Sequence, residues 1–149
     1  MSRLRRIMHA TDFSPASTPA LKRAVAMAKA ERAQLIIAHV MTPPALALPG
    51  EGYVSPRLYE DLEASARGQA QKRLDAIVAK ARKAGARASA LLVEGVPHER
   101  IARAARSKKV DLLVIGTHGR TGLAKFFLGS VATRLIATAP CPVLTVRGR

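Results

Sequence analysis

Cysteine, aromatics and acidic residues are scarce in this chain, and long apolar runs are missing altogether. One cysteine excludes an internal disulfide and any thiolate metal cluster, and points to a reducing compartment. Aromatic residues make up 3%, so the core has to be assembled from alanine, valine, leucine and isoleucine. No apolar run approaches the roughly 20 residues needed to span a bilayer. The basic start (Arg3, Arg5, Arg6) resembles a leader peptide only superficially, because Asp12 interrupts the apolar segment such a leader needs. The expectation is a soluble, cytoplasmic protein with no membrane partner.

Acidic residues number 10 against 25 lysines and arginines, a formal net charge of +15. Such a charge attracts polyanions, nucleic acid among them. The cations, however, are spread over several predicted helices: Lys22, Arg23 and Lys29 on one, Lys72, Arg73 and Lys80 on another, Arg103 and Arg106 on a third. That dispersal favours a solvated basic surface over a dedicated nucleic-acid interface. Hydrophobic residues at 48% exclude a disordered chain, and 149 residues suffice for one domain spanning 1–149.

Strand and helix patterns then alternate. Arg6 to Ala10 reads as a first strand, and Ser14-Pro15 as the cap and first position of a helix with Ala20, Leu21, Ala24, Val25 and Ala28 on its buried stripe. Leu35 to Met41 is nearly all apolar, as a strand covered on both faces should be. Pro43 to Ser55 carries three prolines and two glycines and reads as an irregular loop, a candidate lid by length and position. Ser55-Pro56 repeats the cap signal and opens a long helix with Leu58, Leu62, Ala66, Ala70, Leu74, Ile77, Val78 and Ala81 on one face, ending near Gly85. Ala88 to Val93 is a third strand. A shorter helix from Val96-Pro97 follows, and Leu112 to Ile115 is a fourth strand. A helix from Gly129 or Ser130 to about Thr138 should pack through Val131, Leu135 and Ile136, before a last strand at Val143–Val146.

Five strands alternating with helices imply an α/β fold, a parallel sheet between helical layers. Ligands of such sheets bind beyond the carboxyl ends of the strands, where strand order reverses. Asp12, the proline-rich loop and Gly116 all follow strands on that edge. After the fourth strand, small residues place unobstructed backbone amides before a helix N-terminus, which suits a phosphate. The glycine pattern is neither GxGxxG nor the P-loop, since Thr121-Gly122 stands where Gly-Lys would be required. It is G-x2-G-x9-G-S: Gly116, Gly119, Gly129 and Ser130.

This spacing, with the opening Ala10-Thr11-Asp12-Phe13-Ser14 and the ending Ala139-Pro140-Cys141-Pro142-Val143-Leu144, resembles the ATP-binding branch of the universal stress protein family over nearly the whole chain. The resemblance implies a Rossmann-like three-layer sandwich, its five-stranded parallel sheet ordered 3-2-1-4-5 with four helices and ATP between strands one and four. It implies that Ala10, Thr11 and Asp12 lie along the nucleoside and that Val40 offers its backbone to the adenine. Gly116, His118 and Gly119 would border the ribose and phosphates, while Gly129, Ser130 and Val131 supply phosphate donors. Ala132 departs from the family, which often has a threonine there; one lost bond weakens binding by roughly 1 kcal/mol. The family commonly forms a homodimer through the last strand, Val143–Val146.

The residues themselves leave some roles open. Asp12 either accepts from ribose or adenine, or reaches a Mg²⁺ ion, or caps the helix that follows. Arg120 and Lys125 either neutralise phosphate or are solvated loop cations. His9 and His39 read as core histidines, His98 as solvated, and only His118 falls in the loop. Cys141 reads as a small apolar filler, and neither histidine nor cysteine spacing suggests a metal site. No base for hydrolysis is evident. The function expected is an ATP-binding regulatory or stress-response module with slow or no hydrolysis, not an enzyme in the ordinary sense. The alternative is a basic module that binds nucleic acid through its charge.

Overall fold

Apolar strands flanked by amphipathic helices resolve into one twisted layer covered on both sides. A computed structural model of the chain describes residues 2–42, 55–118 and 128–148. The strands are β1 (Arg6–Ala10), β2 (Gln34–Met41), β3 (Arg87–Glu94), β4 (Leu112–Gly116) and β5 (Val143–Val146). The helices are α1 (Thr18–Glu31), α2 (Pro56–Lys83), α3 (Pro97–Ser107) and α4 (Ser130–Thr138). All strand pairs are parallel, in the order β3-β2-β1-β4-β5. The chain therefore turns back on itself between β1 and β4, where the crevice of such a sheet opens.

Side-chain alternation along the strands divides the core in two. Ile7, Leu35, Ile37 and Val114 point to one face, where Ala20, Ala24 and Ala28 of α1 and Leu74, Val78 and Ala81 of α2 cover them. Met8, Ile36, Ala38, Leu113 and Ile115 point to the other, beneath Ile101, Ala104 and Ala105 of α3 and Ala132 and Leu135 of α4. Alanines on the helices let them approach the sheet closely, which suits a core with so few aromatics.

Three details differ from the sequence expectation. Ser14-Pro15 opens a 3₁₀ turn (Pro15–Ser17), and α1 starts at Thr18 with a second proline behind it. Ser14 accepts through its carbonyl from the Ser17 amide, while its buried hydroxyl makes no bond. Ser55 does cap α2, its hydroxyl accepting from the Leu58 amide at 3.2 Å. Leu58 and Leu62 are half exposed, because the buried positions of α2 begin at Ala70. On α4 the buried pair is Ala132 and Leu135, with Val131 and Ile136 exposed; its stripe is rotated by about one residue from the one expected. Of the candidate lid, Pro43 to Ser55, all but Ser55 lies outside the described residues, as do Gly119, Arg120 and Lys125.

Candidate functional site

The β1 end turns sharply, and every polar group of Thr11 helps to hold that turn. The Thr11 amide donates to the Ala38 carbonyl at 2.9 Å, and its carbonyl accepts from His39 Nδ1 at 2.8 Å. Its hydroxyl accepts from the Phe13 amide at 3.0 Å. Because the Ser17 hydroxyl already donates to the Ser14 carbonyl at 2.8 Å, the Thr11 hydroxyl is the donor in its 3.1 Å bond to Ser17. Asp12 Oδ1 accepts from the Ser14 amide at 2.8 Å, an Asx turn. The bond braces the loop before the 3₁₀ turn rather than capping a helix: neither that turn nor α1 has a side-chain cap. A carboxylate has about four acceptor positions, so the bond does not exclude a ligand role.

Phe13 sits in the left-handed region at φ 65°, costly for a bulky residue. It is held by a stack: its ring lies 4.0 Å from the His39 ring, and the Arg73 guanidinium of α2 lies 4.5 Å over it. Residues 13, 39 and 73 come from three separate elements, so no local sequence signal could have joined them. His39 is buried as expected, and it is also part of the site wall.

Glycine at the end of β4 has a packing reason. A Cβ on Gly116 would meet the Ala16 carbonyl oxygen at 3.3 Å and Ser17 Cα at 3.7 Å, so the 3₁₀ turn seats directly against it. Beyond it, Thr117 Oγ1 and His118 Nδ1 share a 2.9 Å hydrogen bond. The Thr117 carbonyl accepts from the Gly129 amide at 2.7 Å, which pins the start of α4 beside the end of β4. The Gly129 amide is therefore engaged, contrary to the expectation that it donates to a phosphate. The unengaged helix amides lie one residue further on, in the first turn of α4. Its ladder begins with Thr133 N donating to Gly129 O at 3.0 Å, so the amides of Ser130, Val131 and Ala132 have no acceptor within the helix.

These pieces enclose a cavity of about 540 Å³ over the β1–β4 crevice, a volume usual for a small-ligand site. Nine of the ten residues singled out from the sequence line it: Ala10, Thr11, Asp12, Val40, Gly116, His118, Gly129, Ser130 and Val131. The tenth, Gly119, is outside the described residues. The structure adds Phe13, His39, Thr42, Gln69 and Arg73 on the α2 side and Ile101 and Ile115 on the other. Polar donors at the α4 mouth, an apolar β2 end and the Asp12 carboxylate make a pocket with a phosphate-like end and a heterocycle-like end.

Outside the cavity, His9 is wholly buried, with Nδ1 donating to the Val114 carbonyl at 3.0 Å and Nε2 unpartnered. Burial pushes its pKa down to about 4, against the opposing pull of that hydrogen bond and of Asp12. Cys141 packs at the edge of the second core cluster, and burial raises its pKa. Among the described residues no group of three or more His, Cys, Asp or Glu side chains is placed to hold a metal ion, and no helix is long and apolar enough to cross a membrane.

A model of the universal stress protein family matches residues 3–147. A universal stress protein of Methanocaldococcus jannaschii is 36% identical over 144 residues, covering 96% of this chain and 82% of the relative. The solved structure of a second universal stress protein from that organism has a TM-score of 0.83 at 26% identity and covers 99% of each chain. A universal stress protein in complex with cAMP has a TM-score of 0.72 at 28% identity, over 99% of this chain and 100% of its own.

Proposed function

Because the chain belongs to the universal stress protein family, we propose that it is a regulatory module that binds an adenine nucleotide, ATP in the first instance, with slow or no hydrolysis. The observation that carries this reading is the first turn of α4: Ser130, Val131 and Ala132 line the cavity, and their amides have no acceptor in their own helix. Free amides and the positive helix end are what a phosphate chain needs. The family relative solved with cAMP supports the class of ligand.

In this reading the phosphates lie at Ser130 and Val131, bordered by Gly116, His118, Gly119 and Gly129, and the adenine reaches the backbone of Val40. Asp12 accepts from the ribose or holds a Mg²⁺ ion that arrives with the nucleotide. Ala10 and Thr11 shape the wall along the nucleoside. The β5 edge, Val143–Val146, joins two copies of the chain, since an apolar edge strand left unpaired recruits a partner. A reducing cytoplasm is the setting.

Calorimetry with ATP, ADP, AMP and cyclic AMP, with and without Mg²⁺, tests the reading. A one-to-one complex with ATP at micromolar affinity, about −8 kcal/mol, supports it. Multiple turnover near ~1–100 s⁻¹, the range of kinases, makes the protein an enzyme instead. Sequence-independent binding to nucleic acid with a steep salt slope, unchanged by ATP, favours the basic-module alternative.

A further inference from the structure

The α3–α4 face of the sheet is covered by the two shorter helices, 11 and 9 residues long. They leave the start of β3 open, and Ser89 is exposed there. Beside it in register is Ile36 of β2, and together they floor a second cavity of about 480 Å³. It lies at the amino end of the strands, opposite the first. Arg6 and Gln34, the first residues of β1 and β2, pair in register at its rim. Ser107, Lys108 and Lys109, where α3 ends, form the facing wall.

The lining combines three cations, two hydroxyls and a carboxamide, with no carboxylate. Arg6 Nη1 donates to the Lys108 carbonyl at 3.3 Å, tying the guanidinium to the helix end. Asp111, the acid next to this turn, accepts through Oδ2 from the amides of Arg5 and Arg6 at 2.8 and 2.9 Å. Three of the last four carbonyls of α3 are engaged: the amides of Lys108, Lys109 and Val110 donate back to Ala104, Arg106 and Ala105, and the Ser107 hydroxyl also donates to Ala104 O at 3.2 Å. This is a Schellman closure, with Lys109 at φ 53° in the position where glycine is commonest. Among the described residues none of the three cations has an ion-pair partner.

We infer that this second cavity binds a compact polyphosphorylated small molecule. An arginine at the start of β1 and two consecutive lysines at the end of α3 line this one cavity, and guanidinium and ammonium groups are the donors that phosphate oxygens take. The concave shape and volume fit a small ligand, whereas an extended nucleic-acid strand would need an open track.

Sodium tripolyphosphate titrated into ¹⁵N-labelled full-length protein tests the inference. The amides of Ser89, Ser107 and Lys109 should shift saturably. Lys109→Gly should bind at least about tenfold more weakly while melting at a higher temperature, because glycine suits the left-handed position. Ser89→Glu, an exposed change that puts a carboxylate in the pocket, should remove the saturable shifts. The inference is overturned by still amides at those three positions, by equal shifts in sodium chloride of matched ionic strength, or by unchanged affinity in Lys109→Gly. Shifts confined to Ser130 and Val131 would place the anion in the first cavity and also overturn it. So would a 12-nucleotide single strand that moves these amides where tripolyphosphate does not.

Discussion

Replacing Ser130 by proline separates nucleotide binding from folding. Ser130 is the first residue of α4, and proline is well accommodated there because its fixed φ is already helical and its missing N–H has no helix acceptor. Gly129, at φ −59° and ψ 154°, already has the extended backbone that a residue before proline requires. The bond from the Gly129 amide to the Thr117 carbonyl is untouched. Stability should therefore change by less than about 0.5 kcal/mol. Binding loses two donors at once, the Ser130 amide and its hydroxyl, each worth roughly 1.5–3 kcal/mol against a charged acceptor. Even the low end, about 3 kcal/mol, raises the Kd for ATP on the order of a hundredfold. Ser130→Ala removes the hydroxyl alone and should cost about tenfold. Calorimetry with ATP beside thermal melts of all three proteins reads both quantities. A proline variant that melts as the wild type does and binds ATP within about twofold of it would refute the assignment of phosphate to these amides. Equal losses in the two variants would assign the contact to the hydroxyl alone.

Other outcomes follow from the same structure. His9 has a folded pKa of about 4 against an ordinary 6.5, so between these values the unfolded chain binds the extra proton. Stability from this group is complete above pH 6.5 and falls by roughly 3 kcal/mol on acidifying to pH 4; urea midpoints should show it, and His9→Asn should flatten that part of the profile. Leu74 is fully buried between α2 and the sheet, and Leu74→Ala should lose about 3–5 kcal/mol in urea unfolding. Gly116→Val, forced against the Ala16 carbonyl, should cost about 1–3 kcal/mol and weaken ATP binding through displacement of the 3₁₀ turn; unchanged stability and affinity would contradict the packing argument. Light scattering at high concentration should give a dimer, and a charge on the β5 edge (Thr145→Lys) should shift it towards monomer.

Much of the fold was legible because its signals are local. β1 and β5 occupy the residues their apolar runs indicate, and Ser55-Pro56 opens α2 where the cap and the proline require. Topology placed a crevice at the edge where the ends of β1, β2 and β4 gather, while the individual lining residues came from the family resemblance, and nine of those ten line the cavity. What was not legible depends on long-range packing. Ser14-Pro15 carries a helix-start signal, yet a 3₁₀ turn forms, its Ala16 carbonyl set against Gly116 and Gly148. The stripe on α4 was misplaced because valine and isoleucine at 131 and 136 look more buried than Ala132, while contact with α3 and β5 selects the alanine face. Arg73 was read only as one of the dispersed surface cations, since a lysine-arginine pair on a long helix carries no sign that Phe13 lies beneath it.

A crystal structure grown in excess ATP tests the central claim most directly. The account predicts triphosphate oxygens within hydrogen-bonding distance of the Ser130 and Val131 amides, with the adenine at the end of β2 beside Val40. A nucleotide bound elsewhere, or protein side chains filling the mouth of α4 with the nucleotide absent, would contradict it.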